Sequence, residues 1–197
     1  MRLIAIISSM PFESGFILSC MKKTRRYAVA GKTVHKGQLS GVNVVLINSG
    51  IGKVNAAHSA TCLIEKYPVS AMINIGVGGG YPGSGLKAGD VALASREIYG
   101  DEGVIDSGGW GGLEHIGIPL VQDGKKKYFN EYPLTLPSFS LFKGKTRMPR
   151  GNYKIRRGNF VTVSAVSGTK KRARELEQRF HALCEKNVDE FGNLSCC

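Results

Sequence analysis

The chain has 197 residues, 42% of them hydrophobic and 21% charged, with a formal net charge of +12. This excludes the apolar-poor composition of a disordered chain and suffices for one globular domain with a real core. No apolar run approaches the roughly 20 residues that span a bilayer, and MRLIAIISSM, soon followed by Glu13, is too short for a secretion signal, so a cytoplasmic protein with no membrane association is expected.

Along the chain, strands and helices alternate. Arg2 to Ile7 is a short apolar run ending in Ser8 and Ser9, and Pro11 falls in the first turn of a helix that carries Phe16, Ile17 and Cys20 at helical spacing. Thr33 to Leu39 and Val42 to Asn48 flank Ser40-Gly41 and read as a hairpin. Val54, Ala57, Ala60, Leu63 and Ile64 recur every third or fourth residue after Gly52, which predicts an amphipathic helix ending near Pro68. Ser70 to Ile75 is a further buried strand, and Val91 to Ala94 follows the Gly89-Asp90 turn. Residues 100–137 are glycine-punctuated and loop-rich, a length that in a compact domain tends to form sites or contacts. Phe160 to Ser164 reads as a strand and Thr169 to Phe180 as a charged helix with Ala173, Leu176 and Phe180 on its inner stripe. The class is α/β, with no internal repeat and no linker, so residues 1–197 are expected to form a single domain.

Lys and Arg cluster at residues 22–26, 125–127, 143–157 and 170–174, in segments expected to be loops and helix faces. They lack the alternating aromatics of a single-strand platform and the spacing of a recognition helix, so a nucleic-acid partner is disfavoured. The five cysteines, Cys20, Cys62, Cys184, Cys196 and Cys197, are odd in number and lack C-x-x-C pairing, as expected of reduced thiols. His35, His58, His115 and His181 show no metal-ligand spacing, so neither a metal nor another cofactor is expected.

Two glycine-rich turns, NSGIGKVNAA (48–57) and NIGVGGGYPGSGLKAGDV (74–91), each follow an apolar run. Glycine lets a ligand approach the peptide plane closely, so the pair suggests one small-molecule pocket. Nucleotide fingerprints fail. Gly76-Val77-Gly78 lacks the third glycine of G-x-G-x-x-G, and Gly80 to Gly85 has Walker spacing but is followed by Leu86.

SGIGKVNAA (49–57), NIGVGGG (74–80), GLKAGDV (85–91) and Met10-Pro11-Phe12-Glu13 instead resemble, in order and spacing, the nucleoside phosphorylase and nucleosidase family. Within it, GVGGGYPGSGL, EIYGDEGV (97–104), IGIPL (116–120), YFNEYPL (128–134) and VTVSAVSGT (161–169) look most like the futalosine hydrolases. The resemblance implies a nucleoside-phosphorylase-like three-layer α/β sandwich around a central mixed, twisted sheet. It also implies an N-glycosyl hydrolase releasing hypoxanthine from futalosine, on a route to menaquinone, with a purine nucleoside as ligand and a homo-oligomer, a dimer foremost, as assembly. Two alternatives stand beside it: a methylthioadenosine/adenosylhomocysteine nucleosidase, and a non-catalytic basic binding protein.

Hydrolysis of a purine N-glycosidic bond needs a stabilised ribosyl cation, a placed water and a protonated leaving base. The resemblance puts Glu13 where a carboxylate orients and deprotonates water and repels the phosphate that phosphorylases bind there. Its alternative is a first-turn acid favoured by the helix dipole. Ser49 and Gly50 would face ribose and water, or merely form a turn. Gly76, Val77 and Gly78 would form a floor beside the nucleoside, Val77 being otherwise a core valine at a strand end. Ser167, Gly168 and Thr169 match the family's base-binding edge. Asp90 reads as a turn residue, and Asp101 and Glu102 stay open. Leu113 to Pro119 corresponds to a region that contacts the neighbouring subunit in related dimers.

The likeness runs to about residue 185. The family continues after a Cys-Glu pair with Asn-Met-Glu-Gly-Ala, a helix and a strand bearing a Ser-Asp or Ser-Asn pair, whereas this chain reads CEKNVDEFGNLSCC. Asn187-Val188-Asp189 could imitate Asn-Met-Glu after one inserted residue. From about residue 186 the tail is expected to be divergent, leaving the fold without its C-terminal part and the chain ending inside a helix.

Overall fold

Leu3–Ser8 (β1) is buried at every position, which requires a strand inside a sheet covered on both faces. In the computed structural model of the chain, residues 3–134 and 152–186 and the backbone of residues 195–196 are described. They divide into two compact units, the first ending at Gly76 and the second beginning at Val77.

The first unit is built on β1, Pro11–Cys20 (α1), Lys22–Val29 (β2), Lys32–Leu39 (β3), Val42–Asn48 (β4), Lys53–Lys66 (α2) and Val69–Asn74 (β5). Its sheet runs β2-β3-β4-β1-β5, with β1 parallel to β4 and β5, and β2-β3-β4 an antiparallel meander. Alternate side chains go to opposite faces. Leu3, Ala5, Ile7, Val34, Val45 and Ile47 pack with Leu63 of α2. Ile4, Ile6, Val44 and Leu46 pack with Met21 and with Ile17 and Leu18 of α1. Pro11 fits the first turn of α1, where its missing N–H has no partner to lose.

The basic run at residues 22–26 is a correction to the sequence reading. It forms β2, an edge strand exposed from Lys22 to Ala28, rather than a loop or helix face. Its ladder to β3 is a backbone matter that the cationic side chains do not advertise, and Arg25 stands opposite Lys36 in it.

The second unit contains Gly79–Gly80 (β6), Val91–Tyr99 (β7), Val104–Asp106 (β8), Gly109–Gly111 (β9), a 3-10 turn at Leu113–Ile116, Val121–Asp123 (β10), Lys126–Tyr128 (β11), Glu131–Pro133 (β12), Ile155–Thr162 (β13), Lys170–Phe180 (α3), Ala182–Lys186 (β14) and Ser195–Cys196 (β15). Its larger sheet runs β12-β7-β13-β14-β6-β15. β7, β13 and β14 are parallel and the flanking pairs antiparallel. Ala173, Leu176 and Phe180 of α3 cover Tyr81, Ile98, Val161, Val163 and Ala182.

Here β7 and β13 are longer than their apolar cores suggested, and the loop-rich stretch holds the short hairpins β8-β9 and β10-β11. The chain end is also corrected: residues 195–196 pair as a strand with β6 instead of lying in a helix. Residues 143–151 of one basic cluster and Asn187-Val188-Asp189 lie outside the described residues. No helix among the described residues is long and apolar enough to cross a membrane.

Candidate active site

In the first unit, β1, β4 and β5 are parallel, so their carboxyl ends meet at one edge, the usual place for ligands in open α/β sheets. Ser49 and Gly50 follow β4, Gly76 follows β5, and Glu13 lies in the first turn of α1 just beyond β1. The ends are tied by backbone bonds. Ser49 N donates to Ser8 O (2.8 Å), Gly50 N to Ser9 O (3.0 Å) and Ile75 N to Ile7 O (2.9 Å).

Glu13 Oε2 accepts from Met10 N at 2.8 Å, fixing the carboxylate at the helix start as the dipole reading anticipates. Its other oxygen lies against Gly76, where a Cβ would come within 2.6 Å of Oε1. The helix-capping contact and a place at the strand ends therefore coexist in one side chain. Ser49 is buried, its hydroxyl donating to Gly50 O at 2.7 Å, while its carbonyl accepts from Lys32 Nζ. Gly50 has φ +81°, a left-handed conformation that favours glycine.

Sequence reasoning missed Asn48. Its Nδ2 lies 2.6 Å from Ser8 Oγ, 2.7 Å from Ser14 Oγ and 3.2 Å from Met10 O, so it braces the loop that carries Glu13. An amide ending a strand next to Ser-Gly was the available signal.

In the second unit, Val77 and Gly78 lead into β6, and a Cβ on Gly78 would sit 3.5 Å from Cys184 Sγ and from Glu185 O. Ser167 is buried and fully engaged. Its N donates to Glu185 Oε1 (2.9 Å) and its Oγ to Glu185 Oε2 (2.6 Å). Tyr81 OH donates to the same Oε2 at 3.1 Å. Burial, and then the nearby Glu185, push the Tyr81 phenol far above its ordinary pKa. Gly168 faces open space, and Thr169 Oγ1 caps α3 by accepting from Arg172 N at 3.2 Å. Of the three residues expected at a base edge, Ser167 is buried while Gly168 and Thr169 are exposed. The Glu185 cluster was not foreseen, its signal being a lone acid closing the apolar run Ala182-Leu183-Cys184.

Asp90 has the structural place expected of it. Its carboxylate accepts from Lys154 N (2.7 Å) and Lys87 N (2.9 Å), and these two backbone bonds, Lys154's first, hold its pKa below the usual value. Asp101 Oδ2 accepts from Ser164 N. Cys20 and Cys62 are free thiols, and among the described residues no three His, Cys, Asp or Glu side chains gather to hold a metal ion.

The chain is similar to known proteins. Over 101 residues the chain is 45% identical to the 5'-methylthioadenosine/S-adenosylhomocysteine nucleosidase of Chromohalobacter salexigens, covering 51% of this chain and 43% of that one. Over 105 residues it is 38% identical to the nucleosidase of the same name from Listeria innocua, covering 53% and 45%. The matched stretch spans less than half the length of these relatives. The crystal structure of the Colwellia psychrerythraea nucleosidase in complex with adenine superposes with a TM-score of 0.74 at 25% identity, covering 93% of this chain and 72% of that one. The Streptococcus pneumoniae enzyme in complex with 8-aminoadenine, at 24% identity and a TM-score of 0.71, shares the fold. The mixed α/β arrangement is therefore that of the nucleoside phosphorylases, and residues 3–185, which take in both glycine turns, Glu13 and the Ser167–Glu185 cluster, match their family from end to end: the chain belongs to the Phosphorylase superfamily.

Proposed function

We propose that the protein is a purine nucleosidase of the methylthioadenosine/adenosylhomocysteine type. The observation that carries this reading is the Glu13 carboxylate, held by Met10 N against Gly76 at the carboxyl ends of β1, β4 and β5. The names of the relatives support the substrate class. Glu13 takes a proton from water as the water oxygen bonds to C1′. The C1′–N9 bond breaks, its electron pair leaves with the purine, and the base takes a proton from solvent, to which Glu13 later returns its own. A carboxylate at this place repels orthophosphate and favours water as nucleophile. In the first unit, Ser49, Gly50 and Gly76 are the candidate ribose and water neighbours. In the second, Val77 and Gly78 offer an apolar wall, and the main chain at Gly168, with Ser167 and Thr169 beside it, offers the purine edge.

No cofactor enters this reading. In this reading the protein works in the cytoplasm as a homodimer. Exposed Phe12 and Phe16 on α1 and Val54 on α2 in the first unit, and Ile105, Ile116 and Ile118 in the second, supply apolar surface for a second copy.

Futalosine is the second reading, favoured by GVGGGYPGSGL, IGIPL and VTVSAVSGT. The purified chain is incubated without phosphate with methylthioadenosine, adenosylhomocysteine or futalosine, and the released base is identified by chromatography. Adenine from the first two is expected; hypoxanthine alone, from futalosine, shifts the assignment to the second reading, and no base from any of them removes both.

A further inference from the structure

Glu185 is 0% exposed, yet its carboxylate accepts from three neutral donors, Ser167 N, Ser167 Oγ and Tyr81 OH. A buried carboxylate is costly unless its oxygens are satisfied, so this arrangement has to hold something in place. The donors come from two separate stretches. Tyr81 follows the Gly78-Gly79-Gly80 run of the second glycine segment, and its own N donates to Leu183 O at 3.0 Å on the same strand as Glu185. Ser167 belongs to the connection between β13 and α3 that contains Gly168. The neighbouring Lys186 points to the opposite face and pairs with Glu97 at 3.5 Å, so Glu185 faces the two stretches with its charge unshared by that lysine.

We propose that Glu185 is a positioning residue, a clasp that sets the Ser167-Gly168-Thr169 segment against the Val77-to-Tyr81 segment and thereby fixes the edge that receives the purine. The purine part rests on the nucleosidase reading above. Both hydroxyls can reverse direction and accept, whereas the Ser167 backbone N–H can only donate. Glutamine therefore preserves the clasp, with its Oε1 toward the N–H and its amide nitrogen toward the hydroxyls, and leucine destroys it.

The test uses the full 197-residue chain. Adenine affinity is measured by titration calorimetry, and amide hydrogen exchange is followed at residues 164–168. E185L weakens adenine binding and speeds Ser167 exchange by about tenfold or more, while E185Q changes each by about threefold or less. In hydrolysis assays E185L raises KM more than it lowers kcat, as loss of uniform binding requires. Y81F and S167A, which remove one donor each, move both readouts in the same direction and serve if E185L does not fold. The proposal is overturned if Y81F and S167A both match the parent, or if E185Q is as damaging as E185L. If the parent itself binds no adenine, the nucleosidase reading fails, while Ser167 exchange in E185Q and E185L still decides the clasp.

Discussion

Replacing Gly76 with alanine tests whether the position of the Glu13 carboxylate matters to chemistry. The added methyl carbon would stand 2.6 Å from Glu13 Oε1, and ordinary contact begins at 3.4 Å, so the carboxylate must retreat by about 0.8 Å. The obstructing atom is the end of a flexible side chain, and Gly76 has no left-handed backbone to strain, so the fold yields cheaply. Moving the carboxylate stretches its 2.8 Å bond from Met10 N, a loss of about 1 kcal/mol in capping. That corresponds to a fall in Tm of about 2–4 °C for a chain of this size. A misplacement near 1 Å costs on the order of 100-fold in rate, about 2.7 kcal/mol in activation free energy. The assay is adenine release from methylthioadenosine at saturating substrate, beside a thermal melt. Gly83→Ala is the matched control, because its Cβ would fall 2.7 Å from Glu177 Oε1 on α3, a similar intrusion on a carboxylate with no proposed role in the reaction. The reasoning is refuted if G76A turns over at the parental rate, or if G83A slows as much as G76A.

Glu13→Gln keeps the shape but cannot take a proton, and should reduce hydrolysis by about 100- to 10,000-fold while adenine binding, read by calorimetry, stays within a factor of a few. Asn48→Ala leaves Ser8 Oγ, Ser14 Oγ and Met10 O without their shared donor and should cost about 1–3 kcal/mol in urea unfolding, with a matching loss of rate. Leu176→Ala empties a fully buried position under α3 and should cost about 2–5 kcal/mol; a smaller loss would mean the second unit's core collapses around the gap. Asp90 has a lowered folded pKa, so its contribution is present above the unfolded value near 3.8 and is lost as pH falls through the folded one. Asp90→Asn should accordingly be less stable than the parent at neutral pH, the difference narrowing below about pH 3.8 in acid titrations followed by circular dichroism.

What the sequence revealed depended on the range over which each signal acts. β1, α1, the β3-β4 hairpin, α2 and α3 announce themselves through apolar spacing and turn residues, and α3 carries its Ala173, Leu176 and Phe180 stripe as expected. β2 has no such spacing, because an edge strand needs only a backbone partner, and the first half of β13 is likewise hidden under Arg156 and Arg157. The place of Glu13 in the first turn after β1 was legible from a four-residue motif. The partnership of Tyr81 with Glu185 spans 104 residues of sequence, and that of Asn48 with Ser8 spans 40. Such pairings exist only once the strands are in register, so no local pattern encodes them.

Among the described residues β2 pairs with β3 alone, and its other flank meets no strand. A bare strand flank, with one row of N–H and C=O groups unclaimed, is a template on which another chain can grow a sheet. Lys22, Lys23, Arg25 and Arg26 line this one, and no acidic residue occurs anywhere between Glu13 and Glu65 to neutralise them. Two such flanks approaching each other bring like charges together before any ladder can form. The stretch that looked least like structure thus guards the monomer's sheet against fibre-like growth, a protection that fades as salt screens it.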